Sequence, residues 1–433
     1  MVRCLMLSGL FVVACNSPEK SSAANTSSSR QHDTAGEGDT GGLTDDGVTW
    51  HKDVNPVLDQ HCHGCHSQGS ISFDLTDPET VALLGEAIVG ATQSGLMPPW
   101  PPDLECRPLL HERTLSDEEK AILSDWIDRG APVGDPATAP DPDALDHDFT
   151  PPDSDLILTL PEPYTPSGSA DDYRCFVVDP ELEENALVKG FSVHPDNAAI
   201  VHHVLVYTDI EHQAAARDAA EDGPGYTCYG GPGFDETSVI GAWAPGSPGV
   251  VLPHDTALSI DAGTPLVVQV HYSPAGDPGG SDQSSVSLDL AEPDESLQPV
   301  FFVPFVDGNL NIPPGASNHE EGFRFTMDFG VNIEFFGGGP HMHRLGKSIS
   351  VKRRKPGDSD FECLMDIPKW DFGYQEIYFL EEPVVLEDGD EVELKCTFNN
   401  SETNPYATDE MVNWGDATGD EMCLVYALAA LSG

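Results

Sequence analysis

The sequence predicts a multidomain protein in which a small all-α domain is followed by two all-β domains of sandwich type. At 433 residues, the chain is longer than a single hydrophobic core usually organises. Apolar residues recur at helical spacing between residues 50 and 132, whereas beyond residue 156 they alternate with polar residues as in β-strands. Proline and aspartate dominate the stretch between these patterns, so we expect a linker at 134–156.

The first 48 residues are expected to lie outside the folded domains. Arg3 precedes an apolar run at 5–14, which is too short to span a membrane and is typical of an export signal. The run ends in Val-Val-Ala-Cys15, which resembles the lipobox of bacterial lipoproteins, whose cysteine is acylated; an ordinary signal peptide is the alternative. We therefore predict a signal peptide at 1–15, a disordered linker at 16–48, and an exported periplasmic or cell-surface lipoprotein anchored through Cys15.

Acidic side chains dominate the charge of the chain. It has 74 Asp and Glu against 20 Lys and Arg, which gives a formal net charge of -54. Such a charge repels polyphosphates, so nucleic acid is excluded as a partner. The simplest interpretation is a soluble, non-aggregating surface outside the cytoplasm.

The small all-α domain is predicted at 49–133. A helical pattern over 53–60 precedes a cluster of cysteine and histidine, and a second helical pattern starts after Ser116. Ser116 and Glu119 have the spacing of a capping box, which marks the start of this helix.

A Cys-x-x-Cys-His motif follows the first helical pattern, at Cys62, Cys65 and His66. At this spacing two thiols can add to the vinyl groups of haem while the histidine reaches the iron. A zinc or redox site is the alternative, but no second cysteine pair stands at zinc-finger spacing, and export suits covalent haem attachment. We therefore predict one covalently bound haem c.

Met97 is the candidate for the sixth ligand of the haem iron. It lies in the proline-rich sequence Gly-Leu-Met97-Pro-Pro-Trp, and a thioether ligand raises the haem potential. Residues 50–132 resemble a small class I cytochrome c domain, a family in which a methionine on a loop after the motif is the axial ligand. A packing role for Met97, and ligation by His61, His63 or His111 instead, are the alternatives.

The β region is long enough for two sandwich domains, at 157–298 and 299–433, with a join near residue 298. Glycine, proline and asparagine separate the strands. The clearest strand-like runs lie at 187–193, 200–207, 266–272, 300–306 and 392–398.

Two groups of histidines stand in these strands. His202 and His203 are adjacent in an apolar strand, and His271 lies among β-branched residues. A buried imidazole needs a polar partner, and a metal ion would supply one. Neighbouring strand residues point to opposite faces, so His202 and His203 can bind one ion only at a β-bulge or through different ring nitrogens; ordinary core histidines are the alternative. His341 and His343 are two residues apart and face the same way, so both can bind one ion without distortion.

Met422 offers a soft thioether that would favour Cu(I) beside the second pair of histidines. The order of His-His, Gln-Val-His-Tyr, His-x-His-x-Leu-Gly and Asp-Glu-Met-Cys resembles the copper type II, ascorbate-dependent monooxygenases, over about residues 171–430. The motifs Trp-Ala-Pro-Gly at 243–246 and Trp-Gly-Asp at 414–416 extend the resemblance.

The resemblance implies two jelly-roll-like domains, each holding one copper ion, across a solvent-filled cleft. The first copper, which transfers electrons, would be held by His202, His203 and His271. The second copper, where O2 binds and a C–H bond is hydroxylated, would be held by His341, His343 and Met422.

Further positions bear on the chemistry and the substrate. Tyr426 matches a tyrosine near the oxygen-binding copper, and Gln269 matches the residue beside the third histidine of the first set. Peptide-hydroxylating members hold a peptide carboxylate with an arginine and an asparagine at positions where this chain has Gly339 and Leu424. The substrate expected here is therefore a small organic molecule with an uncharged or apolar group near the second copper, and not a peptide C-terminus.

Such a reaction needs two electrons per turnover, and each copper stores one. Because haem is also a one-electron carrier, its fusion upstream indicates that electrons arrive through the haem, in place of ascorbate or alongside it. The expected partners are O2, the organic substrate and a one-electron donor. One alternative is a non-catalytic electron-transfer or copper-holding lipoprotein. Another is a structural surface protein, but this interpretation leaves the six candidate copper ligands without a role.

Of the ten cysteines, six remain after those assigned to export and haem, and sequence alone does not pair them. The family resemblance implies two disulfides, Cys175–Cys228 and Cys396–Cys423. Cys106 and Cys363 are then left. A bridge between them would dock the haem domain against the second copper domain; two buried free thiols are the alternative.

Overall fold

The computed structural model describes residues 47–432, with gaps at 68–72, 143–144, 146–151, 169–170, 235–237, 244–246, 248, 275, 294 and 416. The expected signal peptide, Cys15 and the first linker up to residue 46 lie outside the described residues, as do parts of the 134–156 linker and of the motifs at 243–246 and 414–416. Within the described residues, no helix is long and apolar enough to cross a membrane.

Helices dominate the N-terminal part of the described chain. A π-helical turn, Trp50–Val54, leads into the first helix, and a 3-10 turn lies at Pro136–Thr138. The α-helices are α1 (Asn55–His61), α2 (Pro78–Gln93), α3 (Asp117–Asp128) and, within the β region, α4 (Ala214–Asp218).

The predicted capping box at the start of α3 is confirmed. Ser116 Oγ accepts a hydrogen bond from the backbone N–H of Glu119, and the Glu119 side chain accepts one from the backbone N–H of Ser116. The two reciprocal bonds satisfy N–H groups that the first turn of a helix leaves without partners. Trp50 and Trp126 pack at 5.6 Å between ring centroids in the core of this helical part.

Two series of strands follow the helical part. The first series comprises β1 (Leu156–Thr159), β2 (Asp172–Val178), β3 (Ala186–His194), β4 (Val201–Thr208), β5 (Tyr226–Thr227), β6 (Val239–Trp243), β7 (Val250–Val251), β8 (Thr256–Ile260), β9 (Leu266–Tyr272) and β10 (Ser285–Leu290). The second comprises β11 (Gln298–Val306), β12 (Asn311–Ile312), β13 (His319–Thr326), β14 (Asn332–His341), β15 (Gly346–Arg354), β16 (Glu362–Ile367), β17 (Tyr378–Leu386), β18 (Glu391–Phe398), β19 (Val412–Asn413) and β20 (Leu424–Ser432).

The strands pack as sandwiches, so the mostly β architecture predicted for this region is confirmed. One core lies between the five-stranded sheet β5-β2-β9-β4-β6 and the first half of a nine-stranded sheet. The other lies between the four-stranded sheet β13-β18-β15-β16 and the second half of that nine-stranded sheet. The long sheet runs β1-β10-β3-β8-β11-β20-β14-β17, with β7 paired to β3.

Strand β11 carries the chain from one sandwich into the other. Residues 298–300 pair with β8 in parallel, and residues 301–306 pair with β20 in antiparallel orientation. The predicted join near residue 298 therefore falls inside a strand that both sandwiches share, and a single sheet continues across it.

Three disulfides cross-link the described chain. Cys175–Cys228 and Cys396–Cys423 have Cα–Cα distances of 5.8 and 5.9 Å, which confirms the two pairs that the resemblance implied. Cys106 and Cys363 form the third bridge, with a Cα–Cα distance of 5.4 Å. Of the two alternatives for these cysteines, the structure therefore has the bridge and not the free thiols.

The third disulfide lies in a stretch of backbone that docks the helical part on the second sandwich. We call residues 103–113 the docking segment. Its backbone donates hydrogen bonds from Asp103 N to Asp366 O and from Leu110 N to Phe379 O, each 2.8 Å long. Leu109 is buried in the second core. The helical part is thus held by a covalent link, by backbone hydrogen bonds and by an apolar anchor.

We predict that the double variant Cys106→Ser/Cys363→Ser unfolds more easily than the parent. The bridge joins residues separated by 257 positions, so its removal restores much conformational freedom to the unfolded chain. The free energy of unfolding, measured by urea denaturation, should fall by about 2–4 kcal/mol. Peptide mapping without reductant should first recover the linked Cys106 and Cys363 peptides from the parent; alkylation of both cysteines in unfolded, unreduced parent would contradict the bridge.

Candidate metal centres

Three histidines converge where β4 and β9 lie side by side. Val201 pairs with Tyr272 and His203 pairs with His271, so His202 is an extra residue on β4, at a β-bulge. This is the distortion that two adjacent histidines require in order to meet one ion. The bulge brings both rings of β4 to the ring of His271.

The convergence involves the Nδ1 atoms of the rings. His203 Nδ1 lies 3.3 Å from His202 Nδ1 and 3.2 Å from His271 Nδ1. One ring nitrogen from each histidine falls within 4.8 Å of the others. Because neighbouring imidazole nitrogens repel each other unless a proton or a cation lies between them, this donor set fits a metal ion.

The surroundings hold these rings in place and keep them neutral. Tyr173 stacks on His271 at 4.2 Å, and the Asp171 carboxylate lies 3.5 Å from His271 Nε2, which makes no hydrogen bond within the described residues. Burial lowers the pKa of His271 to about 4 and that of His203 well below its usual value. Burial also lowers the pKa of His202. Neutral imidazole is the form that binds metal.

The second group of histidines presents its Nε2 atoms. His341 Nδ1 donates to Gln375 Oε1 at 2.6 Å, and His343 Nδ1 donates to the backbone carbonyl of Asp420 at 3.0 Å. Both acceptors are oxygen atoms, so Nδ1 carries the proton in each ring and the Nε2 lone pair remains for a metal. Burial lowers the pKa of His341 to about 3 and that of His343 to about 4.

His343 lies beyond the end of β14, whereas the sequence predicted both histidines on one strand. The cause is Glu421, a fully buried carboxylate. It accepts backbone hydrogen bonds from Leu345 at 2.5 Å, His343 at 2.9 Å and Met422 at 3.2 Å. Burial raises the pKa of Glu421 to about 7, and these N–H groups oppose the rise. Glu421 thus ties the turn after His341 to the turn that carries Met422.

Both ligand groups line one cavity of about 310 Å³. Met422, Tyr426 and Gln269 line it too. The ring of Phe372 lies between the groups, with its centroid 5.7 Å from that of His202 and 6.1 Å from that of His343. The resemblance implied a solvent-filled cleft, but here an aromatic side chain occupies part of the space between the two sites.

The cavity wall is largely apolar. Phe302, Val306, Ile377 and Leu424 contribute to it, and Gly339 leaves room beside β20. Among the described residues that line the cavity, none is a lysine or an arginine. Arg344 does not line the cavity, but its guanidinium lies 5.5 Å from the centroid of the Phe372 ring.

Sequence reasoning assigned no role to Gln375, Glu421 or Phe372. Gln375 and Phe372 lie in a loop with no metal-binding motif, about thirty residues after His341 and His343. Glu421 carried a weak signal, as an acidic residue in a mostly apolar stretch beside a candidate ligand.

Comparisons with known proteins relate this chain to copper monooxygenases. Residues 307–428 match the family described as copper type II ascorbate-dependent monooxygenase, C-terminal domain. DBH-like monooxygenase protein 2 from Mus musculus is 28% identical over 264 residues, which cover 53% of this chain and 38% of that protein. Peptidyl-glycine alpha-amidating monooxygenase A from Xenopus laevis is 24% identical over 295 residues, which cover 65% of this chain and 28% of that protein.

These matches support the copper type II ascorbate-dependent monooxygenase family. The chain spans less than two fifths of the length of these two relatives. A solved structure of N-glycanase F, 12% identical, covers 64% of this chain and 96% of its own at a TM-score of 0.24, which is too low to support an argument. The family match covers the second ligand group, His341, His343 and Met422.

The structure places the Cys-x-x-Cys-His motif directly after α1. Cys62 and Cys65 are half-buried. His66 Nδ1 donates to the carbonyl of Phe73 at 3.1 Å, which leaves Nε2 for a metal, as an axial haem ligand requires. This contact is the one expected of an axial histidine, and haem attachment at Cys62, Cys65 and His66 stays a prediction.

The alternatives for the sixth haem ligand differ in their surroundings. His61 Nε2 lies 3.0 Å from a carboxylate oxygen of Glu119, and His63 uses both ring nitrogens in hydrogen bonds. The side chain of Met97 is 38% exposed on the loop after α2. His61 and His63 are therefore already engaged in polar contacts, and Met97 as the sixth ligand stays a prediction.

We predict that the metal-free protein loses stability as the pH falls from 7 to 4. The buried histidines have folded pKa values near 3 and 4, below the usual 6.5, so the unfolded chain binds protons in this window that the folded chain does not. Stability contributed by a depressed histidine pKa is present at high pH and is lost on acidification. Urea unfolding at stepped pH should show the decline, and His341→Asn/His343→Asn should make it shallower; an equal slope in that variant would contradict the assignment.

Proposed function

We propose that this chain is a copper monooxygenase that inserts one oxygen atom of O2 into a C–H bond of an organic substrate. The observation that carries the proposal is the pair of preorganised ligand groups on a single cavity. The family match supports the same chemistry. With two electrons and two protons, O2 and the C–H substrate give an alcohol and water.

The two ligand groups suit different tasks. We assign the electron-transferring copper to His202, His203 and His271. We assign the copper at which O2 reacts to His341, His343 and Met422. A thioether ligand favours Cu(I), and copper bound there would supply one-electron reduction of O2.

The protein's own residues prepare the second site. Gln375 and the Asp420 carbonyl orient the rings of His341 and His343, and Glu421 positions the turn of Met422. Tyr426 lines the same cavity, and we assign its phenol the role of donating a hydrogen bond to a reacting oxygen.

The cavity also indicates the class of substrate. Its wall is largely apolar, and neither a lysine nor an arginine is among the described residues that line it. We therefore propose a neutral, largely apolar small molecule as the substrate.

We further propose that a haem c on Cys62, Cys65 and His66, with Met97 as sixth ligand, supplies the electrons, with ascorbate as an alternative reductant. Cys65 supports this placement. Burial raises the pKa of the Cys65 thiol. The positive charge of Arg113 lowers this pKa, and the negative charge of Glu376 raises it. Glu376 lines the cavity, so the haem motif lies within electrostatic range of the cavity wall.

Location is part of the same proposal. Three disulfides support an exported protein, because such bonds persist in oxidising compartments. We propose anchoring through a lipid on Cys15, which lies outside the described residues. Palmitate labelling of the parent and of Cys15→Ser would test the anchor.

We predict that the purified protein holds two copper ions and one covalent haem. Metal analysis should give two coppers per chain, and the haem should stay with the protein in acidified organic solvent. A copper content near one would contradict the two ligand groups. Haem that the solvent extracts would contradict covalent attachment.

We predict that Met422→Ala abolishes oxygen-dependent product formation while the first copper and the haem spectrum remain. Copper-loaded protein would be incubated under ¹⁸O2 with a periplasmic extract and with neutral aromatic and aliphatic probes, and the products analysed by mass spectrometry. His203→Ala should block electron delivery yet leave copper at the second site. Copper binding without any labelled product from the parent would favour the alternative, a copper-holding or electron-transfer lipoprotein.

A further inference from the structure

A short segment between β16 and β17 contacts a ligand histidine on one side and the helical part on the other. We call residues 372–377 the strap. Gln375 in its middle faces His341. Tyr374 and Glu376, immediately before and after it, both contact Arg113, the last residue of the docking segment.

Arg113 forms the centre of a compact polar cluster. Its side chain is 12% exposed and that of Glu376 is 17% exposed. The hydroxyl of Tyr374 donates to Glu376 Oε2 at 2.7 Å, so the phenol, the carboxylate and the guanidinium are mutually bonded. The guanidinium also lies over the rings of Trp100 and Tyr374, at 5.5 and 5.8 Å from their centroids.

The amide of Gln375 has one defined orientation. Its Nε2 donates to the carbonyl of Phe372 at 3.0 Å, so its Oε1 is the atom that faces His341 Nδ1, at 2.6 Å. An oxygen acceptor at this position keeps the proton on Nδ1 of His341. The lone pair on Nε2 then remains available to a metal ion. The orientation of the ring therefore depends on the path of the strap.

We propose that Arg113, which the helical part contributes, is a positioning residue for the second metal site. By bonding Tyr374 and Glu376 on both sides of Gln375, it fixes the strap so that Gln375 orients His341 for copper. The inference rests on the proposed copper at His341, His343 and Met422. It gives the helical part a role in the copper site that does not require haem.

The covalent structure of the chain supports this role. The Cys106–Cys363 bridge and the backbone bonds of the docking segment hold the residues leading to Arg113 against β16 and β17, the strands on either side of the strap. Arg113 therefore reaches Tyr374 and Glu376 from a fixed backbone, which lowers the entropy cost of ordering its side chain.

Copper titration of the full-length protein tests the inference. A His202→Ala/His203→Ala background removes the first ligand group, so that binding reports the second site alone. In this background Gln375→Leu should weaken copper binding by about 10- to 100-fold, the usual effect of losing the acceptor behind a ligand histidine. Arg113→Met, which keeps the length of the side chain, should weaken binding in the same direction, by about tenfold.

Two variants provide controls. Arg129→Met removes another arginine of the helical part, whose guanidinium bonds Asp125 on its own helix, and it should leave copper binding unchanged. Gln375→Glu keeps an oxygen acceptor for His341 Nδ1 and should restore binding toward the background value. Mapping of the Cys106–Cys363 peptides and thermal unfolding check that each variant folds.

A metal-free readout separates positioning from general loss of structure. Nitrogen chemical shifts of ¹⁵N-labelled histidine should show His341 with its proton on Nδ1 in the background protein and a mixture of tautomers in Gln375→Leu and Arg113→Met. If the background protein binds copper tightly and Arg113→Met changes neither the copper affinity nor the tautomer of His341, this inference is wrong. The proposed copper site would still stand in that case. Failure of the background protein to bind copper would overturn the proposed copper site and this inference with it.

Discussion

Strand β11 belongs to both sandwiches, and the relative position of the two candidate metal sites depends on it. Its first three residues pair with β8 of one sandwich, and the next six pair with β20 of the other. Because these hydrogen bonds run through one continuous sheet, rotation of one sandwich against the other would break them. Phe302 and Val306 of this strand also line the cavity, so the element that joins the sandwiches shapes the space between the ligand groups.

The two ligand groups differ in what surrounds the nitrogen atoms of their buried imidazole rings. In the first, a β-bulge brings the Nδ1 atoms of three histidines close together, and Tyr173 stacks on one of the rings. In the second, Gln375 and the Asp420 carbonyl bond the Nδ1 atoms, so the rings are oriented before any ion is present. The first group thus depends on strand register, and the second on residues that pack behind it.

Local sequence patterns predicted the secondary structure well where burial and capping act over a few residues. The runs at 187–193 and 266–272 correspond to β3 and β9, because alternating or fully buried β-branched residues fit a pleated surface. Ser116 and Glu119 predicted the start of α3 through their own hydrogen bonds. The pattern at 53–60 was less accurate, since a π-helical turn precedes α1 there.

By itself, the sequence determined the candidate ligands, the Cys-x-x-Cys-His motif and the change from helix to strand, because each depends on residue type at short spacing. Only the tertiary structure decided which ring nitrogens of the candidate ligands are hydrogen-bonded, that Cys106 and Cys363 form a bridge, and that Arg113 reaches the strap. Contacts of this kind join residues up to about 260 positions apart, and their formation depends on how sheets stack and loops dock. No local pattern of residues encodes such distances, since the packing free energy that selects them is a property of the whole fold.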